Sequence, residues 1–158
     1  MAKLTRRDML TKSIGIEFKA APCQPGDTCR CGCSEPRTPD PAVLKAVKRF
    51  QAWSECIREP HGALAWDVAQ CSARWMSDGR VQEGPAVKWF DPDGRRAGYW
   101  RPGDDAIHLS RGLSWGEVIR VTAHEAAGHW WHNWDSSEAT AKLAEEYVQR
   151  RYLEQLAA

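Results

Sequence analysis

The stretch His124-Glu125-Ala126-Ala127-Gly128-His129-Trp130-Trp131-His132 holds three of the five histidines in the chain. Neutral imidazoles bind divalent metals through a ring nitrogen, and two of them close together on one element make a natural metal pair. A carboxylate next to such a ligand can take a proton from water on the metal without binding the metal itself. That assigns His124 and His129 as ligands and Glu125 as the general base. The spacing raises a geometric difficulty. Histidines four apart lie about 40° apart on a regular helix, whereas five apart they diverge by about 140°. The reading therefore requires an irregular turn between Glu125 and His129, and a π-turn, which absorbs one extra residue, would supply it. Gly128 sits where such a distortion needs to be eased. A regular helix would favour a different trio, Glu125, His129 and His132, which fall within about 60° of one another.

The motif must be carried by a helix. Ser114 followed by Glu117 is a capping box, and Val118, Ile119, Val121, Thr122 and Ala126 give the helix an apolar side. Asp135-Ser136-Ser137 breaks it, and a last helix is expected from about Ser137 to Leu156. Upstream, Asp40-Pro41 opens a helix that Pro60-His61-Gly62 ends, and a second helix spans Ala63 to Met76. The period then changes. Ala86–Phe90, Arg96–Arg101 and Ala106–Ser110 read as three short strands separated by Asp91-Pro92-Asp93-Gly94 and Pro102-Gly103-Asp104-Asp105. Those turns predict an antiparallel meander. The expected class is α+β: a small domain over residues 40–158 with helices and a short antiparallel sheet, preceded by an arm over residues 1–39.

His124-Glu125-x-x-Gly128-His129 resembles the six-residue zinc motif of the dipeptidyl peptidase III family, a zincin-type group of zinc metallopeptidases. The layout of a strand, a His-Glu helix and a following Trp is similar to the compact zincin domains of phage and mobile-element proteins. The resemblance covers the two short motifs alone. It implies a zincin-like fold, Zn²⁺ as the cofactor and hydrolysis of peptide bonds in a peptide or protein substrate. It also implies a third ligand from a paired-Glu motif on the later helix, here Glu145 or Glu146. These lie about 100° apart on a helix, so only one can face the metal. Under this reading an edge of strand Ile107–Ser110 would hold an extended peptide. The alternative function is a non-catalytic zinc-binding or interaction module of a phage or mobile-element protein.

Composition narrows the remaining possibilities. Lys plus Arg is 22 against 21 Asp plus Glu, a net charge of +1, which argues against nucleic-acid binding by bulk charge. No apolar run approaches the ~18 residues of a membrane span. Thr5-Arg6-Arg7-Asp8-Met9-Leu10 looks like a twin-arginine export motif, but the following stretch is interrupted by Glu17 and Lys19, so a cytoplasmic location is expected. Four of the six cysteines, Cys23, Cys29, Cys31 and Cys33, lie together in the Pro-rich arm. They could form a second, structural zinc site, although the spacing lacks Cys-x-x-Cys knuckles. Cys56 and Cys71 fall on expected helices and read as ordinary buried thiols.

Overall fold

The computed structural model describes residues 38–135 and 137–158. The cysteine cluster Cys23, Cys29, Cys31 and Cys33 and the twin-arginine-like motif lie outside the described residues. The chain divides into two units, Met1–Gln51 and Ala52–Ala158. Helix α1 (Pro41–Cys56) belongs to the first unit up to Gln51 and supplies its last turn to the second. The Asp40 side chain accepts the Ala42 N–H at 2.9 Å and so caps its start.

The second unit contains the His124–His132 segment. In chain order it holds α2 (Gly62–Met76), β1 (Ala86–Phe90), β2 (Gly98–Arg101), a 3₁₀ turn (Pro102–Asp104) and β3 (Ala106–Ser110). Then follow α3 (Trp115–Ala123), a π-helical segment (His124–Trp130) and α4 (Glu138–Ala157). The class is α+β, with helices around one small sheet. Among the described residues no helix is long and apolar enough to cross a membrane.

The sheet is mixed, not the antiparallel meander that the turns suggested. Its order is β1-β3-β2, with β1 parallel to β3 and β2 antiparallel to it. The reason lies in burial. All five residues of β3 are buried, which suits a central strand, whereas β1 and β2 keep exposed positions. The connection through residues 91–97 is long enough for β1 and β2 to part and admit β3 between them. This also corrects the peptide-holding role given to Ile107–Ser110, because β3 has neighbours on both sides and offers no free edge.

Two apolar clusters hold the unit together. Val87, Ile107 and Leu109 of the sheet pack against Ala65 and Ala69 of α2 and Val118 and Val121 of α3. Val68 and Cys71 of α2 join Ile119, Ala123 and Ala127 with Ala144, Val148 and Tyr152 of α4. Tyr152 adds a polar tie by donating its hydroxyl to Asp67 at 2.7 Å. Cys56 and Cys71 are buried, as their helical positions suggested. Together the clusters fix α3 and its π-helical continuation between the sheet and α4.

Candidate metal centre

Helix α3 starts at the expected capping box: Ser114 accepts the Glu117 N–H, and Glu117 accepts the Ser114 N–H. Its buried face of Val118, Ile119, Val121, Thr122 and Ala123 continues without a break into the motif. From His124 to Trp130 the backbone is π-helical, and Trp131 donates to the carbonyl of Ala126, five residues back. One extra residue per turn brings residues five apart onto the same side. His124 and His129 therefore converge, with their Nε2 atoms 3.2 Å apart and their rings edge to face. His132 goes elsewhere: its Nδ1 meets the carbonyl of Ala127 at 2.7 Å, so the trio that a regular helix would have favoured does not assemble.

Gly128 is explained by packing rather than by backbone freedom. A Cβ built there would lie 2.7 Å from both Cα and Cβ of Ala141 on α4. The missing side chain lets the π-segment and α4 approach closely, and that approach delivers the α4 carboxylates to the imidazoles. Gly128→Ala is expected to cost about 2 kcal/mol, as overpacking against a rigid backbone does, and to weaken any metal bound by the motif. Gly116→Ala, with open space around its Cβ, is the control and should leave the melting temperature at or slightly above wild type. A thermal melt showing equal effects would contradict this account of Gly128.

Helix α4 brings two acidic residues, Glu138 and Glu145, to the imidazoles in different ways. Glu138, at its first turn, places Oε2 3.2 Å from His124 Nε2 and Oε1 3.1 Å from His129 Nε2. Glu145 is buried and puts Oε1 3.3 Å from Nδ1 of His124, the other ring nitrogen. Glu146 is exposed, about 100° round the helix from Glu145. Of the pair singled out in the sequence, Glu145 is thus at the site, on the outer nitrogen of His124. Glu138 went unnoticed because an acid just after an N-cap serine reads as an ordinary helix-start residue. Its placement depends on that cap. Ser137 accepts the Thr140 N–H at 3.2 Å, while Asp135 accepts from the Ser137 N–H and the Thr140 hydroxyl.

Glu125 is buried beside this group. It forms with His124 and His129 a set whose nearest ligand atoms all lie within 4.8 Å, a group that could hold a metal ion. Burial pushes its carboxyl up to about 7, and the charge of Glu138 pushes the same way, against a backbone hydrogen bond from Trp100. Trp100 lies on β2, so the outer edge of that strand faces the site. A cleft of about 330 Å³ opens here between β2 and the helices, with Ala97 and Gly98 on one side and Val121, His124 and Glu138 among its other walls.

Among the flanking residues, Trp130 and His108 are held by packing and hydrogen bonds. Trp130 donates its indole N–H to Asp105 at 3.1 Å and packs on Trp131. Trp134 is 78% exposed, away from the apolar clusters. His108 is buried in β3, stacked on Tyr99 at 4.7 Å and bonded to Asp104 at 3.0 Å. Comparison with protein families, curated proteins and solved structures finds no match to this chain.

Proposed function

We propose that this chain is a zinc-dependent peptidase in which His124, His129 and Glu138 hold the metal and Glu125 acts as general base. One observation carries the reading. His124 Nε2 and His129 Nε2 lie 3.2 Å apart, and the Glu138 carboxylate spans them as the third corner of a triangle, with Oε2 3.2 Å from the first nitrogen and Oε1 3.1 Å from the second. Donors 2.0–2.1 Å from a tetrahedral zinc ion lie about 3.3 Å apart, and each of these separations is of that size. Two imidazoles and one carboxylate also leave a fourth position for water or substrate.

Zinc held there would acidify a water molecule and polarise a peptide carbonyl. The protein's own groups divide the remaining work. Glu145 at Nδ1 of His124 fixes that ring with Nε2 toward the triangle, a carboxylate–histidine arrangement that raises ligand basicity. Glu125 stands outside the tight triangle, close enough to take a proton from water and return it to the leaving amine. A carboxyl titrating near neutrality suits both transfers. The outer edge of β2 offers backbone groups against which an extended peptide can lie.

The test is metal stoichiometry on the full chain. Wild type should hold about one zinc equivalent more than His129→Ala, whatever the cysteine-rich arm binds. Equal metal content in the two proteins would remove the reading. Zinc held without cleavage of any peptide in a mixed-peptide screen would favour the interaction-module alternative.

A further inference from the structure

We propose that the cleft selects substrates bearing a carboxylate, gripped by Arg96 and Lys142 on either side of the metal position. The inference rests on the peptidase reading and adds to it the chemistry of the substrate. It follows from the charges lining the cleft. Three carboxylates and three cations are present there: Glu125, Glu138 and Glu145 against Arg96, Arg120 and Lys142. Each carboxylate is engaged. Glu138 meets both imidazoles, Glu145 meets His124 and, at 3.7 Å, Arg120, and Glu125 accepts from the Trp100 backbone. Arg120 is thereby occupied as well. Arg96 and Lys142 have no ion pair among the described residues.

Both remaining cations are placed by the fold. Arg96 enters β2 from a turn in which Asp93 accepts the N–H groups of Arg95 and Arg96 at 2.9 and 3.0 Å. Its guanidinium lies over the Tyr99 ring, 4.3 Å from the centroid, and Tyr99 is itself stacked flat on buried His108. The ring column limits the rotamers of Arg96, so less entropy is lost when it binds an anion. Lys142 stands one turn after Glu138 and one turn before Glu145, on the α4 face that looks into the cleft. An extended peptide along β2 would pass between a guanidinium at the entry to that strand and a helix-borne ammonium. A carboxylate there gains two charge-assisted contacts, and a neutral group gains none.

Two sources could provide that carboxylate: an acidic side chain or the free C-terminus of a peptide. Binding to the full-length protein, with and without zinc, can be followed by titration calorimetry using four acetylated tetrapeptides. One carries an internal Glu and a terminal amide, and the second replaces that Glu with Gln. The third is all-Ala with a free terminal carboxylate, and the fourth is all-Ala with a terminal amide. At least one carboxylate peptide should bind about three- to tenfold tighter than its neutral counterpart, with the advantage shrinking as salt is raised. The pair that shows it identifies the source. Lys142→Gln and Arg96→Gln should each reduce that ratio, and Lys142→Arg should keep it. Equal affinity within both pairs, or a ratio untouched by both glutamine variants, overturns the proposal. Because the metal-free protein is measured too, failure of zinc to bind would count against the peptidase reading alone.

Discussion

Glu125→Gln is expected to keep its zinc and its fold and to lose peptide turnover by about 10²–10⁴-fold, the usual contribution of a general acid–base group. The amide preserves size and still accepts the backbone hydrogen bond from Trp100, but it cannot take a proton. A second readout needs no activity. In the metal-free protein the Glu125 carboxyl titrates near 7 instead of 4.5, because burial penalises its charged form. A folded pKa above the unfolded one means that ionisation opposes folding. The cost is absent below about pH 4.5 and complete above about pH 7, with a ceiling of about 3 kcal/mol. Glu125→Gln should therefore melt at the same temperature as wild type at pH 4 and at a higher one at pH 8. Equal turnover by the two proteins would remove Glu125 from the mechanism. Equal melting at both pH values would show that its carboxyl is not held in a desolvated site.

The carboxylates of α4 should separate into three classes by zinc affinity. Glu138→Ala removes a proposed ligand and should lower affinity by more than about 100-fold, beyond the 10–100-fold typical of groups that orient a ligand. Glu145→Ala should fall within that 10–100-fold range, because it leaves the triangle intact but frees the His124 ring to turn. Glu146→Ala should change nothing measurable, since its side chain is exposed. Competition with a chromogenic chelator gives all three values on one scale. If Glu146→Ala strips the metal while Glu138→Ala retains it, the paired-Glu resemblance was the better guide and the triangle is not the binding site.

How much of this was legible beforehand depends on the range of the interactions involved. Helix starts at Asp40, Ser114 and Ser137 are set by side chains that bond within three residues, so they can be read directly from the chain. The same holds for the strand segments Ala86–Phe90 and Ala106–Ser110, which turn residues bound on both sides. The irregular turn at the motif was also legible, because two histidines five apart can meet only if a residue is absorbed between them. His124, Glu125 and His129 thus stood out from sequence alone as one chemical group.

Tertiary structure decided the rest. Which strand lies in the middle of the sheet depends on how much surface each one buries against α2 and α3, and three consecutive strands joined by turns do not encode that. Whether Glu138, Glu145 or Glu146 approaches the imidazoles depends on the angle and depth at which α4 meets the π-segment. That approach is governed by the contact of Gly128 with Ala141, two residues far apart in the chain. Periodicity could say which face of α4 is apolar, but not where along that face the histidines would fall. Which carboxylates stand beside the imidazoles was therefore decided by packing between helices, a long-range property on which local propensity is silent.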